Sequence, residues 1–325
     1  MHDWNALIKT IREAQKILIF THMNMDGDAA GSSCALCRSL RRMGKDCFIL
    51  LEDDCPEYLA FLDEDGYFTY EAPWTPDLSI AVDCGDDSRV EKRKEIFHAA
   101  GITACVDHHR KFEPFAQIEV VDPDAPAAGS LIFELLQEMD APVDKEVAEA
   151  LYVAISTDTG SFRYGNTTSQ AHLDTAKLYG YGIDHVKLCN YVWGNYPLAQ
   201  LKLEALAIER AQIFADGKAV VSWCTLEDLK RYSAKSENTE MCIDRLRSIA
   251  GVEAAAFLKE KPDGSFKVSL RSKSYADVNA VARQFAGGGH LRASGGTLRG
   301  VTAEQGIELL KPAMEQAVRR TGEEA

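Results

Sequence analysis

Short apolar runs set the terms for the first half of this chain: KILIF (16–20), DCFILL (46–51), LSIAVD (78–83), ITACVD (102–107) and IEVVD (118–122). They are nearly continuous in hydrophobicity, where a strand with one wet face would alternate, so both of their faces are expected to be covered. Helical stretches lie between them, as in DAAGSSCALCRSLRRMG (28–44), which is expected to start at Asp28 and to end at Gly44. Buried strands separated by helices imply an α/β fold, a parallel sheet flanked by helices. Further helices are expected at 127–139 and 144–157, and around 168–181 and 184–192.

From about residue 213 the texture changes. AVVSW, AAAFLKEKPDGSFKVSLRS and GGTLRG read as strands, the middle one a hairpin turning at Pro262, Asp263 and Gly264. A smaller mixed α+β domain is therefore expected after the first. A chain of 325 residues exceeds one comfortable core. The expected division is a domain over 1–195, a connecting helix within 196–214 built on LAQLKLEALAIERAQIF, and a second domain over 215–325.

Composition removes several classes of function. The formal charge of −14 argues against coating long DNA or RNA, which needs a broad basic surface. No apolar stretch approaches the roughly 18 residues of a membrane span, and the first residues lack a signal-peptide pattern, so the cytoplasm is the expected location. The nine cysteines are scattered and odd in number, which suits reduced packing thiols. Cys34 and Cys37 form C-x-x-C inside an expected helix, with no second pair to complete a zinc site.

Polar clusters close several of the apolar runs. After KILIF come His22, Asp26 and Asp28. Fully extended, His22 and Asp28 would stand about 20 Å apart at roughly 3.3 Å per residue, so only a compact loop joins them. Gly27 permits such a turn. LSIAVD ends at Asp83, ITACVD ends at Asp107 with His108 and His109 behind it, and Asp158 closes an apolar helix. An aspartate after a strand is usually a helix cap, and one such cluster would be read so. Four of them, meeting at the carboxyl ends of a parallel sheet, would repel one another unless a cation were bound. Oxygen donors with a few imidazoles and no thiolate favour Mn²⁺, with Mg²⁺ or Co²⁺ as substitutes. The donors are too many for one ion, and a metal pair sharing a carboxylate is a device for phosphoryl transfer.

Taken in order, H-x-x-x-D-x-D (22–28), Asp83, Asp107-His108-His109 and the TDTG around Asp158 resemble the motifs of the DHH phosphoesterase family. VNAVARQFAGGGHLRASGG resembles the glycine-rich signature of the family's associated C-terminal domain. The resemblance implies that His22, Asp26 and Asp83 hold one Mn²⁺, and that Asp28, Asp83, His108 and Asp158 hold another, with Asp83 shared. It also implies that Asp107 orients a histidine and that His109 faces the substrate phosphate or the leaving group. Gly288, Gly289, His290 and Arg271 would bind the substrate, the glycines through backbone N–H groups that include Gly287. Lys273, Arg283 and Arg292 keep the reading of solvated surface, and Phe162, Arg163 and Tyr164 that of packing.

Within the family, a chain with only these two domains resembles the bacterial oligoribonuclease and pAp-phosphatase subgroup. That implies hydrolysis of short RNA, linear dinucleotides such as pApA, and pAp, with no long DNA track and no membrane partner; a homo-oligomer is compatible with it. A RecJ-like exonuclease shares the metal motifs, but no basic stripe accompanies them here. A manganese pyrophosphatase shares the first domain, but its second carries a Lys- and Arg-rich grip in place of GGGH. A nucleotide sensor without turnover would have no need of paired metal ligands.

Overall fold

Each apolar run of the first half becomes a strand of one sheet. The computed structural model describes residues 2–109 and 113–319, and the chain divides into two units, Met1–Asn195 and Tyr196–Ala325. The first unit runs α1 (Asn5–Glu13), β1 (Lys16–Phe20), α2 (Gly27–Arg42), β2 (Asp46–Leu50), β3 (Phe68–Thr69), β4 (Leu78–Val82), α3 (Lys94–His98), β5 (Ile102–Asp107) and β6 (Ile118–Val121). Four helices complete it: α4 (Ala128–Glu138), α5 (Lys145–Asp158), α6 (Ser169–Tyr179) and α7 (His185–Trp193).

The strand order is β3-β2-β1-β4-β5-β6, with every pair parallel. Both faces are covered, as the continuous apolar runs require. Ile17 and Ile19 of β1 face a core shared with α2, α4 and α5, while Leu18 and Phe20 face Val90, Phe97 and Cys105 on the other side. Burying side chains of this size contributes roughly 1.5–3 kcal/mol each.

Helix α2 departs from expectation at its start. Asp26, not Asp28, is its N-cap, accepting from the N–H groups of Asp28 and Ala29 at 3.1 Å. Gly27 is needed for proximity and not for a special φ: a Cβ there would collide with the side chain of Thr157 on α5. Gly31 and Gly129 have the same role, since a Cβ on either would strike α5 at Ala150 or Ala154. Glycine at these points lets α2, α4 and α5 approach closely. Gly44 does follow α2 with a positive φ of 84°. All nine cysteines are free thiols; Cys34 and Cys37 are buried in the middle of α2, where burial pushes the Cys34 thiol up and away from reactivity.

The second unit contains α8 (Leu198–Glu209), β7 (Gln212–Phe214), β8 (Ala219–Cys224), α9 (Leu226–Arg231), α10 (Cys242–Ser248), β9 (Ala254–Glu260) and β10 (Phe266–Ser272). It ends with α11 (Val278–Arg283), β11 (Gly288–Gly289), β12 (Ala293–Leu298) and α12 (Ala303–Val318). Its sheet has the order β11-β12-β10-β9-β8-β7 and is mixed, β8 and β9 being parallel and the remaining pairs antiparallel. The hairpin between β9 and β10 turns where expected, with Gly264 at φ +75°. The helix expected through residue 214 stops at Glu209, because Gln212–Phe214 pairs with β8. Leu203, Leu206 and Ala207 of α8 share a core with Val220 and Cys242, inside this unit.

Among the described residues, no helix is long and apolar enough to cross a membrane.

Candidate metal centre

The order of the first sheet reverses between β1 and β4, and open parallel sheets receive ligands at the carboxyl ends beside such a reversal. There β1 runs into His22 and β4 into Asp83, β5 finishes on Asp107 ahead of His108 and His109, α2 opens with Asp26 and Asp28, and α5 closes on Asp158. Their side chains gather into three overlapping groups: His22, Asp26 and Asp83; Asp28, His108 and Asp158; and Asp83, His108 and His109. Within each group the donor atoms lie within 4.8 Å of one another.

Asp83 joins the groups. Its Oδ2 is 3.5 Å from His22 Nε2, and its Oδ1 is 3.4 Å from His108 Nε2, so each oxygen serves a different half of the site. Its backbone sits at φ +60°, in the left-handed region that aspartate tolerates better than most residues and that turns the chain sharply after β4. The side chain is almost wholly buried, yet Oδ1 accepts no hydrogen bond from the described residues. A buried carboxylate oxygen without a donor is costly, and a cation would satisfy it.

Both imidazoles are presented in the manner of metal ligands. His22 Nδ1 bonds to the Met23 carbonyl at 2.8 Å and His108 Nδ1 to the Ala125 carbonyl at 3.3 Å. With Nδ1 the donor in each case, Nε2 is left facing the carboxylates. His22 Nε2 is 3.7 Å from Asp26, and His108 Nε2 is 3.7 Å from both Asp28 and Asp158. Asp28 also accepts from Ala128 N (2.7 Å), Gly129 N (2.9 Å) and Ser32 Oγ (2.8 Å), so it caps α4 as well as facing the site. The same side chain thus caps α4 and faces His108 and Asp158.

His109 differs from the other two. Its Nδ1 lies 2.8 Å from Asp107 and only 3.5 Å from Asp83, which makes Asp107 its orienting partner.

The titration behaviour follows from crowding. For Asp83, burial works against ionisation, but His108 and His22 outweigh it and hold the carboxyl well below its ordinary range. Burial would lower His22 and His108, yet the surrounding carboxylates push each up to about 10. Burial raises Asp158 to about 6, reinforced by Asp83, and raises Asp28 as well. The site thus stores protons where a cation would sit. A ligating imidazole must lose its proton, so metal uptake is expected to release protons and to tighten as pH rises towards 10. Mn²⁺ titration calorimetry in two buffers of different ionisation heat measures that release; binding with no net proton release contradicts the assignment.

Asn166 gave no signal in the sequence. Its Nδ2 donates to Asp158 Oδ2 at 2.8 Å, to the Asp158 carbonyl at 3.2 Å and to the Pro126 carbonyl at 2.9 Å. It therefore fixes the carboxylate at the end of α5. Asn166→Ala is expected to weaken metal affinity about 10- to 100-fold, the usual effect of losing a group that orients a ligand. An unchanged Mn²⁺ dissociation constant would show that Asp158 needs no such support.

Of the residues expected to bind substrate, Arg271 lies on β10 and donates to the Leu270 carbonyl at 3.0 Å, with no ion pair among the described residues. Gly288 and Gly289 are not an open loop. They form the edge strand β11, opposite Gly295 and Ser294 of β12, and Gly289 has φ +142° where a Cβ would press on Ala293 and Ser294. The Gly287 N–H is used by the Ala282 carbonyl and the His290 N–H by the Ala293 carbonyl, so neither offers itself to a phosphate. Phe162 stacks on His172 at 5.1 Å and packs against the core, in line with the packing reading.

Residues 16–155 match the DHH family N-terminal domain, and residues 216–320 match the DHHA1 domain. The bifunctional oligoribonuclease and PAP phosphatase NrnA of Thermus thermophilus is 28% identical over 308 residues, covering 94% of this chain and 91% of that protein. Its Bacillus subtilis namesake is 28% identical over 298 residues, covering 90% and 92%. The crystal structure of an exopolyphosphatase-related protein from Bacteroides fragilis superposes with a TM-score of 0.89 at 26% identity, covering 96% of this chain and 95% of that one. The chain belongs to the DHH family, with its DHH domain in the first unit and a DHHA1 domain in the second.

Proposed function

We propose that this protein is a metal-dependent phosphoesterase that hydrolyses short oligoribonucleotides, linear dinucleotides such as pApA, and pAp. The observation that carries the proposal is the division of Asp83 between two donor groups, each with an imidazole presented through Nε2. The relatives named as oligoribonuclease and PAP phosphatase supply the substrate class. The donor chemistry favours two Mn²⁺, one with His22, Asp26 and Asp83, the other with Asp28, Asp83, His108 and Asp158. When bound, such ions neutralise phosphate charge and make a water acidic enough to attack phosphorus.

The chain's own groups have separate tasks. Asp107 fixes the ring of His109 through Nδ1 and, as its first effect, raises the histidine's pKa, burial opposing. His109 thus keeps its second proton to higher pH than an ordinary imidazole, and in that form Nε2–H can donate to the oxygen that leaves phosphorus. Asp28 and Asp158 hold their orientation through the start of α4 and through Asn166, so little rearrangement is needed when substrate arrives. Arg271 and His290 of the second unit are proposed to bind substrate phosphate, Arg271 through its guanidinium.

The test offers the purified protein with Mn²⁺ pAp, pApA, a pentaribonucleotide, a long single-stranded DNA and pyrophosphate in parallel. The first three should turn over at least about tenfold faster than the last two, a difference of roughly 1.4 kcal/mol in barrier. Preference for long DNA or pyrophosphate would replace this reading, and nucleotide binding with no product would make the protein a sensor.

A further inference from the structure

The compact loop that joins His22 to Asp28 turns at Asn24, which sits at φ +55°. Asparagine takes this left-handed conformation more readily than most residues, but at a cost, so something must hold it there. Two backbone ties do so. Asn24 N donates to Asp53 Oδ2 at 3.1 Å, and Met23 N donates to the Arg89 carbonyl at 2.9 Å. Met23 in turn presents its own carbonyl to His22 Nδ1 at 2.8 Å. A chain of bonds therefore runs from both flanks of the loop to the imidazole.

Those flanks are the neighbours of β1 in the sheet. Asp53 follows β2, and Arg89 belongs to the 3₁₀ segment Asp87–Arg93 that follows β4. Lys92 of the same segment closes the ring. Its Nζ pairs with Asp53 Oδ1 and donates to the Glu52 carbonyl at 3.1 Å, and its N–H donates to Glu52 Oε2 at 3.0 Å. Arg93 Nε adds a bond to the Leu51 carbonyl at 3.2 Å. The bond from Lys92 also holds the Asp53 carboxyl below its ordinary range, so both oxygens stay acceptors at neutral pH. Asp53 is in none of the three donor groups and reaches the centre through the loop backbone. The half with Asp28, His108 and Asp158 is held by other bonds, from the start of α4, the Ala125 carbonyl and Asn166, and none of these passes through Asp53.

We propose that Asp53 is a positioning residue for the ion assigned to His22, Asp26 and Asp83: by fixing Asn24 it keeps the Met23 carbonyl on His22 Nδ1, and Nε2 turned towards Asp26 and Asp83. The inference rests on the two-ion reading proposed above and adds to it a selective effect, since loosening this loop leaves Asp28, His108 and Asp158 in place.

Mn²⁺ calorimetry and electron paramagnetic resonance on the full chain test it. In Asp53→Ala one ion should bind about 10- to 100-fold more weakly, the usual effect of losing a group that orients a ligand, and the other within about threefold of wild type. At Mn²⁺ concentrations that fill both sites of the wild type, this variant should lose the coupled signal of an ion pair and show that of an isolated ion. Asp53→Asn, which keeps an oxygen for the Asn24 N–H, should restore the pair. Asp54→Ala, at a neighbouring acid bonded to Tyr70, should leave it intact, which separates positioning from a mere loss of negative charge. Asn24→Val, whose branched side chain resists φ +55°, should reproduce the loss with Asp53 untouched, and circular dichroism shows that each variant is folded. Unchanged affinity for both ions in Asp53→Ala, or equal weakening in Asp53→Asn and Asp54→Ala, overturns the assignment. Two ions in the wild type with an unaffected Asp53→Ala remove the role of Asp53 alone. A single ion in the wild type removes the pair, and Asp53 then keeps its role if Asp53→Ala weakens that ion and loses it otherwise; no binding by the wild type removes both.

Discussion

Asp83→Asn is expected to leave a folded protein with at least about a thousandfold lower turnover on every phosphoester it cleaves. The amide keeps the shape of the side chain and tolerates φ +60°, so the turn after β4 survives. What is lost is the charge shared between the His22 and His108 halves of the site. An amide cannot hold two cations at one point, and cation-based stabilisation of a phosphoryl transition state amounts to several kcal/mol, each 1.4 kcal/mol being about tenfold in rate. Initial rates in saturating Mn²⁺, beside circular dichroism of the variant, decide the matter. Wild-type rates would mean that Asp83 is only a buried turn residue.

Gly31→Val is expected to produce the largest loss of stability. A Cβ at this position would press on the Ala150 carbonyl and lie 2.8 Å from Ala154 N, both backbone atoms of α5 that cannot move without shifting the helix. Overpacking of this kind costs typically 1–3 kcal/mol and more when backbone must yield. At the upper end of that range, about 3 kcal/mol, and at roughly 2–4 °C per kcal/mol for a unit of this size, the melting temperature should fall by about 6–12 °C. Metal affinity should fall with it, because Asp28 and Asp158 ride on the two helices being forced apart. A thermal melt within a degree of wild type would show that α2 and α5 have slack that the described packing lacks.

The sequence exposed much of this architecture because apolar runs without alternation admit few arrangements, and because a strand that must stop at a crevice stops on the residues that work there. Asp83 and Asp107 could be placed for that reason, and Asp158 as the end of an apolar helix. Approaches between distant segments left no such trace. Gly31 reads locally as a poor helix former, and its purpose is clear only once Ala150 lies against it. Asn166 sits in a polar turn like many others, and its three hydrogen bonds depend on how that turn folds back over α5. Gln212–Phe214 continues a helix-forming stretch, but pairing with β8 overrides local preference. The glycines from 287 to 289 suggested an open loop, whereas Gly288 and Gly289 pair with β12, and it is at Gly287 and Gly289 that a side chain would block that approach.

The donors around Asp83 come from β1, α2, β4, β5 and α5, elements drawn from positions 22 to 158. Cations held among them would fasten the ends of segments that an unfolded chain would scatter, and so would bind only the native form. Such a ligand adds RT ln(1 + [L]/Kd) to the stability, about 2.7 kcal/mol at a hundredfold excess over the dissociation constant. Scarcity of the metal would then shorten the protein's lifetime against proteases as well as slowing its chemistry, and its abundance would follow the supply of the ion.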